Sequence, residues 1–227
     1  VTVTDVNETV TPQPTPTAPL IDGVSVLTTQ QTSTSGLTTT TVSVAPVSAS
    51  RVEDPSTPHK LLADIPLVAG SAGETLLSTG LPTGIGMQSI ALSGNDLTLH
   101  QQLINASEPR ITDDAAWQQI LSDGIDAYTA GVTDPGHVTV RTLVLSAAGG
   151  SSAPGQPIVI TGASGTGEND SAHPLRQEAL IIDARTLPAG SLLSLDQVEF
   201  AIVIGSVTVS GGAGRNVVLG DGAAQTL

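Results

Sequence analysis

Cysteine is absent from this chain of 227 residues, and aromatic residues make up only 1% of it. The first absence excludes disulfide bonds, thiolate nucleophiles and metal sites built on cysteine. Trp117, Tyr128 and Phe200 are the only large aromatic side chains. The hydrophobic core must therefore come from Val, Ile, Leu, Ala and Thr. Such a core suits thin sheets and stacked strands better than a deep aromatic-lined pocket.

Basic residues are also scarce, since 7 Lys and Arg stand against 21 Asp and Glu, for a formal net charge of -14. This balance argues against binding to nucleic acid or to an anionic membrane surface, because both need clustered positive charge. No apolar run is long enough to span a membrane, and no stretch resembles a signal peptide. The acidity favours either solubility in a crowded or salty medium or a surface that collects divalent cations such as calcium.

The chain divides into segments of different pattern. VTVTDVNETV begins in mid-strand, as in a piece of a longer protein, and TPQPTPTAP is a linker because proline cannot donate to a sheet ladder. We expect the terminal strand of a preceding repeat at 1–10, the linker at 11–19, a Thr/Val-rich β region at 20–97, a helical segment at 98–135 and a C-terminal β region at 136–227.

The patterns predict a mainly β protein. Two alternating Thr- and Val-rich arms within residues 23–47 flank Ser35-Gly36, which predicts a β-hairpin with its turn near residues 33–36. This hairpin would belong to a Thr-rich antiparallel sheet region. Short apolar strands follow residue 136, and the later ones recur about ten residues apart. That spacing predicts a C-terminal set of strands that is solenoid-like at its end.

Two helices are expected between these β regions. TLHQQLINASEP (98–109) predicts a short helix, and TDDAAWQQILSDGIDAYTAG (112–131) predicts a longer one with Thr112 as its cap. One apolar stripe of the longer helix should pack in the core. Asp123-Gly124 is the weak point of this helix, where an interruption is expected. The residues of that stripe are Trp117, Ile120, Leu121, Ile125 and Tyr128.

VITGASGTG (159–167) contains the motif that points most directly to a catalytic chain. It resembles the TGxxGxG loop of short-chain dehydrogenases, in which a strand, a glycine turn and a helix N-terminus hold a pyrophosphate. Glu168, Asp170 and Pro174 oppose that interpretation, because they bring negative charge and a helix breaker to the phosphate position. The loop also lies late in the chain, and neither Tyr128 nor Lys60 can form the family's Tyr-x-x-x-Lys pair. We therefore expect a glycine-bent loop between two strands.

Other catalytic or metal-binding patterns are weak. The histidines, at positions 59, 100, 137 and 173, have no metal-ligand spacing, and no G-x-S-x-G motif marks a nucleophilic serine. The sequence therefore predicts no enzyme. Asp54-Pro55 and Asp134-Pro135 are acid-labile bonds, and some exported bacterial proteins use such bonds for calcium-triggered self-cleavage. Self-processing stays open as an alternative.

Calcium is the expected cofactor. GGAGRNVVL (211–219) resembles the G-G-x-G-x-D-x-U-x nonapeptide of repeats-in-toxin (RTX) proteins, and a partial second turn follows at residues 220–222. In that family each turn gives carbonyl groups and an Asp carboxylate to calcium. The resemblance implies ligands at Asn216 and Asp221. Asn216 departs from the motif, and its neutral side chain should weaken binding relative to Asp.

The beginning of the chain carries a second resemblance. VTVTDVNETV is similar to the last strand and linker of cadherin-like repeats, which end in Asp-x-Asn-(Asp/Glu). The resemblance implies that Asp5, Asn7 and Glu8 bind calcium together with ligands from a preceding domain. As a whole, the chain resembles a module that lies between cadherin-like and RTX repeats in very large exported bacterial proteins.

These observations predict a structural or adhesive module of a large secreted bacterial surface or matrix protein. The resemblance implies type I secretion, an extracellular or cell-surface location and calcium stabilisation. Adjacent domains of the same chain and further copies, through edge strands, are the expected partners, without nucleic acid or membrane insertion. A calcium-dependent glycan- or ligand-binding domain is the alternative from another class.

Overall fold

The computed structural model describes residues 18–56, 61–69, 75–94, 96–110, 115–150, 152–162, 177–212 and 217–221, and it confirms a mainly β protein with two helices. The described strands are β1 (Leu20–Ile21), β2 (Val24–Thr32), β3 (Thr38–Val44), β4 (Leu62–Ala69), β5 (Thr75–Pro82), β6 (Ile85–Ser93), β7 (Val138–Ala147), β8 (Ile158–Gly162), β9 (Gln177–Asp183), β10 (Leu192–Asp196), β11 (Phe200–Ile204), β12 (Thr208–Gly211) and β13 (Val217–Gly220). The described helices are α1 (Leu99–Ser107) and α2 (Ala115–Gly131), with short 3-10 turns at Glu108–Arg110 and Pro135–His137.

The strands form two sheets that enclose one aliphatic core. The larger sheet has the order β1-β2-β3-β6-β7-β9-β11-β13, and the smaller has the order β12-β10-β8-β5-β4. Met87 and Leu145 of the larger sheet share a cluster with Ile65 and Ile158 of the smaller sheet. The faces therefore pack through branched aliphatic side chains, as the scarcity of aromatic residues requires.

The predicted hairpin is confirmed as β2 and β3. Their register runs without a shift from Val26 opposite Val44 to Thr32 opposite Thr38. The turn closes where Ser33 N–H donates to the Leu37 carbonyl at 2.8 Å, and Gly36 adopts a φ of 84°. Glycine is suited to this position because a side chain disfavours a positive φ.

The strands from β8 to β13 alternate between the two sheets. β8, β10 and β12 pair parallel in the smaller sheet, whereas β9, β11 and β13 pair parallel in the larger one. The chain thus contributes strands to each sheet in turn. The solenoid-like character predicted for the end remains a prediction, since residues 213–216 and 222–227 lie outside the described residues.

The helices cover the outer face of the larger sheet. Helix α1 begins at a capping box, in which the Thr98 side chain accepts Gln101 N–H and the Gln101 side chain accepts Thr98 N–H. A second core lies under both helices, where Leu103 and Ile125 meet Phe200. The helices confirm the two predicted segments, although Thr112, the proposed cap of α2, lies outside the described residues.

The predicted stripe of α2 is only partly confirmed, because Trp117 is half-buried and is not among the described residues that pack in the core under the helices. Leu121 and Ile125 are buried and Tyr128 stacks on Phe200 with ring centroids 4.1 Å apart, but Ile120 is 49% exposed. The sheet covers a narrower arc of the helix than the apolar pattern suggested.

Helix α2 also continues through Asp123-Gly124, its predicted weak point. A Cβ atom on Gly124 would lie 2.6 Å from Leu219 Cδ1, so the glycine lets α2 approach β13 closely. This packing offsets the low helix propensity of glycine.

A buried carboxylate in the β1–β2 turn joins three segments of the chain. Asp22 has a fully buried side chain and a φ of 45°. Its Oδ1 accepts Asp54 N–H at 2.8 Å and its Oδ2 accepts Asp64 N–H at 2.9 Å. The Arg51 guanidinium lies 3.1 Å from Asp22 Oδ1 and donates to the Leu62 carbonyl at 2.7 Å. The β1–β2 turn, the loop after residue 50 and β4 therefore depend on one charge-assisted network.

We expect Asp22→Ala to lower the free energy of unfolding by about 3–5 kcal/mol, because it removes the carboxylate that pairs with the buried Arg51 guanidinium and accepts the Asp54 and Asp64 amides. Chemical denaturation followed by Trp117 fluorescence measures the loss. Asp96→Ala is the control, since Asp96 is exposed and its removal should cost at most about 0.5 kcal/mol. Equal losses in the two variants would contradict the structural role of Asp22.

Tyr128, the only tyrosine, should titrate unusually late. Burial, followed by the charge of Glu199, raises the pKa of Tyr128 to about 12. Among the described residues its buried hydroxyl has no hydrogen-bond partner. Because the unfolded pKa is near 10, the free energy of unfolding should fall by about 2–3 kcal/mol between pH 10 and pH 12. The phenolate absorbance of the folded chain measures this midpoint, and Tyr128→Phe should remove this contribution to the fall. A folded midpoint near 10 would show that the hydroxyl is solvated.

Candidate functional site

A groove lies on the outer face of the larger sheet. It has a volume of about 830 Å³ and lies between the end of β6, the start of α1 and the segment from Pro135 to Thr139. Leu92, Leu97 and Leu99 provide its apolar lining. The volume is within the range of small-molecule pockets. No Trp, Tyr or Phe lines this groove within the described part of the chain, so it offers no large ring on which a sugar could stack.

Two histidines that lie far apart in sequence reach this groove. His100 Nε2 is 3.1 Å from Asp126 Oδ1, within ion-pair distance but without hydrogen-bond geometry. His137 Nδ1 is 2.5 Å from Asp134 Oδ2. The carboxylate of Asp134 therefore holds the His137 ring by a hydrogen bond, whereas Asp126 only lies beside His100. The sequence did not indicate this pairing, because residue spacing alone does not show that α1 and the Pro135–His137 turn meet.

A narrower groove adjoins the first one and extends between α1 and the sheet. Its volume is about 230 Å³, and Ile90, Ala106 and Val140 line it. Leu92, Leu97 and Gln102 belong to both grooves, so the two form one continuous depression. The depression borders the part of the outer face that the helices leave uncovered.

The predicted calcium ligands fall mostly outside the described residues. Asp5, Asn7, Glu8 and Asn216 all lie there, which leaves Asp221. Asp221 is buried, and its Oδ2 accepts Gly205 N–H at 2.9 Å. In the ranges that the structure describes, no group of three or more His, Asp or Glu side chains is placed to hold a metal ion.

An arginine lies beside Asp221 at the end of the parallel strands. Arg185 Nη2 is 2.7 Å from Asp183 Oδ2. The hydrogen bond to Asp183 raises the pKa of Arg185 further, as do the charges of Asp183 and Asp221. The Asp221–Gly205 hydrogen bond links the ends of β11 and β13. Arg185 thus supplies positive charge to this cluster of carboxylates.

Both Asp-Pro bonds lie at exposed positions. The side-chain carboxylate of each Asp makes a contact with a residue that is close in sequence. Asp54 Oδ1 accepts hydrogen bonds from Ser56 N–H at 2.9 Å and Ser56 Oγ at 2.7 Å. The backbone bond from Ser56, followed by its side-chain bond, lowers the pKa of Asp54. Asp134 contacts His137, as described above. These contacts hold both carboxylates in local turns.

The VITGASGTG motif contributes a confirmed strand. β8 ends at Gly162, where a Cβ atom would lie 2.4 Å from the Gln197 carbonyl oxygen. Glycine is needed there because another backbone segment approaches closely. Residues 163–176, which contain Glu168, Asp170 and Pro174, lie outside the described residues.

The uncovered outer face of β2, β3 and β6 is a second candidate surface. One row places Thr29, Thr41 and Ile90 side by side, and the next places Leu27, Ser43 and Gln88 side by side. No charged residue occurs between Asp22 and Arg51 or between Glu74 and Asp96. We call this three-stranded region the uncharged sector. It is unusual in a chain whose net charge is -14.

Comparison of the chain with models of protein families, with curated proteins and with solved structures found no match. None of the helices in the described ranges has the length and apolarity that crossing a membrane requires.

We expect Asp221→Ala to lower the free energy of unfolding by about 1–3 kcal/mol, because it removes the buried carboxylate that accepts the Gly205 amide. Asp221→Asn keeps a side-chain oxygen and should lose less. Chemical denaturation measures both variants, and hydrogen exchange at Gly205 locates the effect. Unchanged exchange at Gly205 in Asp221→Ala would show that this hydrogen bond does not hold the end of β11.

Proposed function

We propose that this chain is a structural or adhesive module of a large secreted bacterial surface or matrix protein. The observation that carries the proposal is the open end of the parallel strands. Among the described strands, β12 pairs only with β10 and β13 pairs only with β11. Within the described residues, each sheet therefore presents one unpaired parallel edge at the end that β8 to β13 build.

These two edges can accept a further coil of the same chain or of an adjacent domain. A strand on β12 followed by a strand on β13 would repeat the alternation that begins at β8. Backbone hydrogen bonds and aliphatic contacts would then extend in the same direction. The edges of the folded module would thereby template the folding of the next segment, and the module would act as a spacer.

Composition supports the location that we assign to this role. Large negative charge suits a crowded or salty medium, and the lack of cysteine is compatible with export without disulfide formation. The resemblances to cadherin-like and RTX repeats support a position between such repeats, export by a type I system and an extracellular or cell-surface setting. We assign no reaction to the chain.

Calcium would bind at the two joints of the module, which are the places where the module meets the preceding domain and the following turn. Asp5, Asn7 and Glu8 would bind it together with a preceding domain, and Asn216 and Asp221 together with the following turn. Asp221 supports the second joint because it lies directly after β13, at the open end. Calcium there would bring added positive charge to the cluster that Arg185 already neutralises in part.

Thermal unfolding and hydrogen exchange with calcium or magnesium test this proposal. Calcium should raise the melting temperature and slow exchange of the β12 and β13 amides, because binding to the folded state stabilises it. Magnesium at the same concentration is the control, and Asn216→Ala combined with Asp221→Ala should remove the C-terminal part of the effect. Equal melting and exchange with either ion would overturn the calcium joint. New fragments ending at Asp54 or Asp134 would instead favour self-processing.

A further inference from the structure

The edge of the larger sheet at β2 is open along most of its length. β1 pairs only with Val24 and Ser25, and Val26 N–H donates to the Pro19 carbonyl at 2.9 Å. Beyond Val26, β3 is the sole partner of β2 in the ranges that the structure describes. Because backbone groups alternate along a strand, Thr28, Gln30 and Thr32 present N–H and C=O groups in the same direction as Val26.

This edge lacks the features that usually prevent strands from pairing between molecules. β4, the antiparallel edge of the smaller sheet, contains Asp64 and Pro66, and its register shifts near Val68. Charge, proline and irregular register each disfavour the addition of a strand. The free part of β2 reads LTTQQT and pairs with β3 without a shift. The difference indicates that pairing is blocked at β4 and permitted at β2.

The charge distribution points to a second copy of the chain as the occupant. Two molecules with a net charge of -14 repel each other over most of their surfaces. The β2 edge lies within the uncharged sector, and the strands next to it, β3 and β6, are also free of charge. A second copy therefore meets little repulsion at this edge.

We propose that two copies of this chain associate by antiparallel pairing of their β2 edges. A two-fold axis perpendicular to the sheet would place Gln30 opposite Gln30 and Thr28 opposite Thr32. Both are pairs of residues whose backbone groups point out of the edge, so each pair can exchange two hydrogen bonds. The two larger sheets become one continuous sheet. This inference builds on the proposed structural role and specifies the surface of self-association.

The contact is small and mostly polar, so the dimer forms in a concentration-dependent manner. Its direction also differs from that of the open β12 and β13 edges, because β2 and β13 lie toward opposite sides of the larger sheet. Association between copies and continuation along the chain can therefore occur together. Repeated modules in neighbouring chains would gain strength through multivalency.

Sedimentation velocity across a range of protein concentrations tests the proposal. The unmodified chain should form dimers as concentration rises, and the Thr28 and Gln30 amides should become protected from exchange. Gln30→Pro should abolish the dimer, because it removes an outward-pointing N–H and none that bonds to β3. Circular dichroism and melting establish that this variant is folded.

A matched pair of variants keeps the test valid if Gln30→Pro does not fold. Thr29→Glu and Gln88→Glu each add one negative charge at an exposed position on the same face, but only Thr29 lies on the β2 edge. Thr29→Glu should raise the dissociation constant about tenfold at low salt, because the charge occurs twice across the axis. Gln88→Glu should change it little.

Two results would overturn the proposal. One is a dimer that Thr29→Glu and Gln88→Glu weaken equally. The other is a chain that stays monomeric at every concentration, with the Gln30 amide either exposed or covered by another segment of the same chain. Neither result bears on the calcium joint, since that test reads melting and the β12 and β13 amides at concentrations where the chain is monomeric.

Discussion

Backbone hydrogen bonding that continues from antiparallel to parallel strands holds the two halves of this fold together. β7 pairs antiparallel with β6 and parallel with β9, and β8 likewise pairs antiparallel with β5 and parallel with β10. The change of direction thus occurs in both sheets, above the same aliphatic core. The alternating strands from β8 onward therefore extend two sheets whose antiparallel strands are already paired.

The composition of the core explains why the candidate surfaces lie outside it. Branched aliphatic side chains fill the space between the sheets, and the only described aromatic stack, Tyr128 on Phe200, lies beneath the helices. The described grooves are on the outer face, beside α1. Among the described strands, the edges that we propose as contact surfaces are of two kinds, an antiparallel edge at β2 and parallel edges at β12 and β13, and each suits a different partner.

Sequence patterns correctly predicted the elements whose structure depends on interactions between residues that are close in sequence. The hairpin of β2 and β3 was predictable because its alternation and its turn are adjacent in sequence, and α1 and α2 were predictable from their periodicity. Ile120 was wrongly placed in the core because periodicity shows which face of a helix is apolar but not how wide an arc the sheet covers. Gly124 was taken as a weak point because its contact with Leu219 spans distant segments.

The sequence by itself determined the β class, the helical segments, the aliphatic core and the absence of charge around β2, because composition and short-range periodicity carry that information. Tertiary structure alone decided that His100 and His137 share a groove, that Asp22 holds Arg51 and β4, and that β2 and β4 are edges among the described strands. These features depend on strand order and on contacts between distant residues. Their free energy comes from burial and backbone pairing that no single segment can achieve alone.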